Sequence, residues 1–190
     1  MANKNLFRIA GWCALVTGVI MVAFHGIPAG LPVIVGIALS LVDLLGLTIV
    51  FYALYVAHRA ESARLSLPGL ILWLLAFVLN LIGLLTSLVN PFLSNVGSLL
   101  WALPFLIFGI LALRSARMPR GLAVLALLTG AVFLILGVAG FMGSAAIVDG
   151  GNLVADILML AWIVWLGILF LSKKFATASP VPAVAGSLPH

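Results

Sequence analysis

The stretch from Val33 to Ala57, VIVGIALSLVDLLGLTIVFYALYVA, runs directly into His58 to Leu67, HRAESARLSL. The first part carries one carboxylate, Asp43, no cation, and otherwise apolar, small or hydroxylic side chains. A helix needs about 20 such residues to cross the hydrocarbon of a bilayer, so this part is long enough to span it. The second part brings a histidine, a glutamate and two arginines within a few positions. Charge gathered at the end of an apolar run is what a chain carries where it leaves lipid for water.

Working outward from that unit, five further stretches qualify as spans: Leu6 to Phe24, Pro68 to Val89, Val96 to Leu113, Gly121 to Met142 and Leu153 to Leu171. Between them lie turn-forming or charged breaks. His25 to Pro32 reads HGIPAGLP, Asn90-Pro91 separates the third span from the fourth, Arg114 to Arg120 reads RSARMPR, and Gly143 to Asn152 reads GSAAIVDGGN. Pro91 also suits the first turn of a longer fourth helix. The expected fold is therefore all-α, a polytopic transmembrane bundle of six spans within residues 1–175. The last stretch, Ala176 to His190 (ATASPVPAVAGSLPH), is rich in Pro, Ala and Ser. It cannot bury a core and is expected to be a disordered cytoplasmic tail.

Composition agrees. The 190 residues are 65% hydrophobic and 7% charged, against about 45–50% and about 25% for soluble domains. That excludes an ordinary soluble globule, and it excludes intrinsic disorder, which needs low hydrophobicity and high charge. The lone Cys13 excludes an internal disulfide framework and any multi-cysteine zinc site.

Nine Lys/Arg against four Asp/Glu give a net charge of +5. Lys4 and Arg8 open span one, Arg59 and Arg64 follow span two, Arg114, Arg117 and Arg120 follow span four, and Lys173 and Lys174 follow span six. With six spans all of these share one side, and the positive-inside rule puts both termini in the cytoplasm. The excess charge thus reports topology and needs no nucleic-acid partner. Lys4 and Arg8 before an apolar run also suit a signal peptide, but no A-x-A-like cleavage site follows, so the first span is expected to be retained.

Asp43 lies about ten residues, roughly 15 Å, into its span. A carboxylate at that depth costs on the order of 2.5–3.5 kcal/mol and should face protein or water with a partner. Gly36, Ser40 and Gly46 fall within about 60° of it around the helix, a small-residue face against which another helix can pack. Asn80 sits at similar depth in the next span, sharing a face with Ala76, Gly83 and Ser87. Spans joined by a short loop are antiparallel neighbours, so an Asp43–Asn80 hydrogen bond is expected. That bond reads as a polar clasp between helices, or as the proton- or cation-handling point of a transport path.

A second polar collection, His25, Asn90, Asn95, Asp149, Asn152 and Asp156, falls on the opposite side. Asn152 before an apolar run reads as an N-cap, with acids near a helix start favoured by its dipole. The sharper alternative joins His25 to Asp149 and Asp156 as a divalent-metal site, but these residues lack ligand spacing, and no metal is expected. No cofactor is expected either. His25 and His58 stand almost a membrane thickness apart and cannot share a haem, and His190 is in the tail.

No P-loop, G-x-S-x-G or H-E-x-x-H motif is present, and no enzyme activity is expected. His58 and Glu61, at i, i+3 beside Arg59 and Arg64, read as a solvated anchoring loop. The competing reading makes them acid–base machinery for a lipid headgroup. Arg114, Arg117 and Arg120 would each add about 1 kcal/mol of nonspecific attraction to an anionic membrane surface.

Gly11 and Gly18, and Gly130 and Gly137, are spaced by seven and line single faces, and Ala126 with Gly130 forms a small-xxx-small pair. Pro104 should bend the fourth span. Trp12, Trp73 and Trp101 lie near span ends, as an aromatic belt requires, whereas Trp162 and Trp165 are deeper. Cys13 reads as a small packing residue.

Phe108-Gly109-Ile110-Leu111-Ala112-Leu113-Arg114-Ser115, then Met118-Pro119-Arg120-Gly121-Leu122-Ala123-Val124-Leu125, form one recognisable hairpin. With the opening Arg8-Ile9-Ala10-Gly11-Trp12 and the closing Trp165-Leu166-Gly167-Ile168-Leu169-Phe170-Leu171, it resembles small bacterial multi-span membrane proteins grouped as domains of unknown function. The likeness covers roughly a third of the chain. It implies a helical membrane fold in a bacterial inner membrane and transfers no functional residues. The expected function is a non-enzymatic bundle that binds a membrane-protein partner, a second copy of itself, lipid or an apolar small molecule, or serves as an accessory subunit. The alternative is a small proton- or ion-coupled transporter or channel using Asp43.

Overall fold

The computed structural model describes residues 2–26, 33–86 and 91–172. The tail Ala176 to His190 falls outside them. The described residues form five helices and no strand: α1 (Ala2–Gly26), α2 (Val33–Thr86), α3 (Pro91–Arg114), α4 (Arg120–Phe141) and α5 (Ala145–Leu171). Each is long and apolar enough to cross a membrane. Five helices in place of six separate ones is a correction, and its cause lies in His58 to Leu67. Ala60, Glu61, Ala63, Arg64 and Leu65 are good helix formers, so the expected loop stays helical and only Ser62 leaves helical geometry, at φ −159° and ψ 87°.

That one residue turns the chain around. In a straight helix Phe51 and Trp73, 22 positions apart, would stand roughly 33 Å from each other. Instead their rings stack with centroids 4.2 Å apart, and Trp73 Nε1 donates a hydrogen bond to Thr48 Oγ1 at 3.1 Å. The 54 residues of α2 are thus two arms folded back on each other about Ser62.

The glycines set the order of packing. Gly46 of the first arm lies against Thr17 of α1, and Gly69 of the second arm lies against Ile107 and Phe108 of α3. Gly109 and Gly137 of α3 and α4 bring Leu127 and Leu99 close, Gly121 meets Trp165, and Gly151 meets Leu136. α5 then closes on α1: a Cβ on Gly11 would fall 3.0 Å from the Gly167 carbonyl oxygen, and one on Gly167 3.0 Å from that of Gly11. The result is a closed ring in which successive helices run antiparallel. Lys4, Arg8, Arg59, Arg64, Arg114, Arg117 and Arg120 consequently stand at one end.

Phe51 occupies the middle. Beyond its stack on Trp73 it meets the edge of Phe105 at 5.4 Å and lies 5.9 Å from Trp162. Phe105 and Trp162 make an edge-to-face pair at 4.9 Å. The outside is apolar as well. On α1, Ile9, Trp12, Val16 and Val19 recur at helical spacing and are exposed, while Ala10, Ala14 and Thr17 are buried. Large side chains outward and small ones inward is the pattern of a helix solvated by lipid, where close backbone approach rather than water exclusion drives association.

Two smaller expectations change. Trp73 is fully buried instead of belonging to an interfacial belt, because Thr48 supplies its N–H with an acceptor and so removes the cost of burying it. Of the deeper pair, Trp162 is buried and Trp165 is 41% exposed. Asn152 is not an N-cap, since α5 begins at Ala145 after Ser144. Gly143, at φ 72°, ends α4 in the left-handed conformation only glycine adopts freely. The turn closes within a few residues, leaving Asp149, Asn152 and Asp156 inside α5. Pro91 opens α3, where its missing N–H costs nothing, and the helix continues through Pro104.

Candidate functional site

Two polar groupings interrupt the apolar bundle. At mid-depth, Asp43 turns toward α1. Its Oδ1 and the hydroxyl of Thr17 are both buried, and among the described residues each has only the other for a neighbouring polar group. Thr17 is itself 1% exposed. It reaches this position because Gly46, one turn after Asp43, has no side chain: a Cβ there would fall 2.7 Å from Thr17 Oγ1. The other threonines nearby behave differently. Thr48 and Thr129 each donate to the carbonyl four residues back, Leu44 and Leu125, at 2.8 Å. Thr17 does not.

The expected Asp43–Asn80 bond is not made. Asn80 Nδ2 donates to its own helix at Ala76 O, 2.8 Å away. The reason is rotational. Taking about 100° per residue, Asp43 lies about 60° from Gly46, which marks the α1 side, and about 140° from Thr48, which marks the second arm. Ser40, one turn before Asp43, is half-buried. Thr17 was missed because nothing local distinguishes it from any other threonine in a span. Its role comes from a neighbour 26 positions away in sequence.

The second grouping sits at the basic end. His58 is 1% exposed, and its Nδ1 lies 3.3 Å from Glu61 Oε2. Ser115 Oγ, from the turn after α3, donates to Glu61 Oε1 at 2.9 Å. The Arg117 backbone N–H donates in turn to Ser115 Oγ at 3.2 Å. His58 Nε2 and Ser66 Oγ point inward, buried without partners, with the His58 ring 6.3 Å from that of Phe108. The expectation of a solvated loop is therefore corrected for His58, whereas Arg59, Glu61 and Arg64 stay exposed. The fold at Ser62 presses this segment against α3, and Glu61 ties the two turns together. The order Ser115–Glu61–His58 puts the carboxylate in the middle, so His58 is not placed to take a proton from the serine. Glu61→Ala should leave Ser115 Oγ and His58 Nδ1 without their acceptor, lowering stability by on the order of 1 kcal/mol per bond. A thermal melt in detergent checks this, with Glu61→Gln losing less.

At the opposite end Asp149 is exposed and Asp156 is half-buried. Asp156 joins Met21, Val22, Leu153, Ile157 and Leu160 around an apolar groove of about 230 Å3 between α1 and α5. The side chain of His25 and all of Asn90 lie outside the described residues. Comparison with protein-family models, with curated proteins and with solved structures finds no match.

Proposed function

We propose that this chain is an integral membrane protein of six crossings, the two arms of α2 making two of them, with both termini in the cytoplasm of a bacterium. We propose further that it acts without catalysis, by binding a membrane-protein partner, a lipid or an apolar small molecule. The observation that carries this reading is the fate of the polar side chains at the basic end. Glu61 holds two turns together through Ser115 and His58, both buried, while the bundle's outward faces present Ile, Leu and Val. Two arms lying side by side support the six-crossing count, and the basic residues gathered at one end support the orientation. Crosslinking in native membranes, with the purified chain analysed for retained lipid, tests it. One specific neighbour or one enriched lipid is expected, and recovery of neither overturns it.

A second reading rests on Asp43 and Thr17, whose Oδ1 and hydroxyl are buried between α1 and the first arm of α2. Such a pair suits the binding of a proton or a small cation in a transport path. Under this reading, proteoliposomes of the wild-type chain carry a proton- or ion-coupled flux that Asp43→Asn abolishes and Thr17→Val reduces. Wild-type vesicles that carry none dismiss it.

A further inference from the structure

Five arginines lie on two turns far apart in sequence. Arg59 and Arg64 flank Ser62, while Arg114, Arg117 and Arg120 flank the turn between α3 and α4. The Ser115–Glu61 hydrogen bond, spanning 54 positions, brings the two turns together on one end of the bundle. Arg59, Arg64, Arg114 and Arg120 are exposed there, and Arg117 is half-buried. Glu61 is the one acid on these turns, and its two oxygens already face Ser115 and His58. The end therefore keeps a strong positive excess on a frame braced by a partly buried network.

We propose that this end is a binding site for the headgroup of an anionic phospholipid, with arginines from both turns converging on its phosphate. Guanidinium groups suit that ligand because their planar fork pairs with two phosphate oxygens at once. A lipid is favoured over an acidic segment of another protein by what surrounds the cations. Leu65, Leu67 and Leu113 are 38%, 46% and 44% exposed. An apolar surface beside the charges lets one molecule place its phosphate on the arginines and its acyl chains on the leucines. A braced pair of turns goes beyond the diffuse attraction of any cation to an anionic surface, because Glu61 and Ser115 fix the two arginine-bearing turns relative to one another. The proposal rests on the membrane-bundle reading and names the lipid class it binds.

The test uses the full purified chain in detergent, with retained phosphatidylglycerol and phosphatidylcholine counted by native mass spectrometry. Preferential retention of phosphatidylglycerol is expected, with a loss of about fivefold in affinity for each arginine neutralised, as in Arg64→Gln with Arg120→Gln. The charge-matched control Lys4→Gln with Arg8→Gln, on α1 at the same end, should keep the preference. Ser115→Ala, which keeps every charge but cuts the brace, should weaken retention partway. Equal retention of the two lipids overturns the proposal, as does an equal loss in the control, which would mean diffuse charge alone. Displacement of the lipid by a polyglutamate peptide that then binds as tightly also overturns it, in favour of a protein partner. Carbonate washing of the cells' membranes separates this from failure of the underlying reading: a chain washed out of the membrane sinks both, and a retained chain indifferent to lipid charge sinks only the site.

Discussion

Phe51→Ala is expected to destabilise the bundle by about 3–5 kcal/mol, the range for removing a buried aromatic ring from a packed interior. Phe51 is fully buried and touches four rings at once: Trp73, Phe105, Phe108 and Trp162. Those rings come from the second arm of α2, from α3 and from α5, so one side chain joins three elements to the first arm. Aromatic pairs contribute about 0.5–1.5 kcal/mol each beyond their area, and the hole left behind is bounded by rigid rings that cannot collapse into it. A large drop in the thermal midpoint of the detergent-solubilised chain is the expected readout. Phe51→Leu, which fills most of the volume, should recover roughly half of the loss. A midpoint unchanged by Phe51→Ala would mean that Phe51 does not hold the ring of helices together.

Gly130→Leu is expected to have an effect at or above the upper end of the about 1–3 kcal/mol typical of overpacking. Even the first added carbon has no room. A Cβ at Gly130 would lie 2.9 Å from the Ala102 carbonyl oxygen and 2.8 Å from Leu106 Cγ. A side chain can swing away, but the Ala102 carbonyl belongs to the backbone of α3, so α3 and α4 must separate along their length. Separation would also loosen Trp101 and Phe105 from Phe133, now 5.6 and 6.0 Å apart between centroids. Gly143→Ala offers a comparison of a different kind. Space around Gly143 is open, so its cost comes only from the positive φ. Limited proteolysis and a thermal melt should rank Gly130→Leu well above Gly143→Ala. The reverse order would show that α3 and α4 do not approach as closely as described.

How much could be read from the chain differs from residue to residue. The apolar runs ending in arginine clusters were legible because helix length and apolarity follow from the residues in order, whatever the neighbours do. Glycine spacing at Gly11, Gly18, Gly130 and Gly137 announced close helix contacts for the same reason, without saying which helix would come close. Trp73 read as a belt residue because position along a span is visible in sequence and its acceptor Thr48, 25 positions away, is not. Asn80 read as the partner of Asp43 because equal depth is visible and rotation about two helices is not.

The clasp at the basic end lay furthest from view. His58 and Glu61 look like any solvated pair at i, i+3, and only Ser115 from another turn makes them a tie between turns, with His58 buried. Thr17 likewise carries no mark until Gly46 leaves room for it beside Asp43.

What the amino-acid order determined alone was the helical class, the apolar lengths, and the gathering of arginine at the breaks between apolar runs, because each depends on the solvent around the chain and not on its partners. What only the tertiary structure decided was how few residues the turn at Ser62 needs, which aromatic rings meet at Phe51, and which polar atoms find one another. Those outcomes depend on the rotation and approach of helices remote in sequence, quantities that no local pattern encodes.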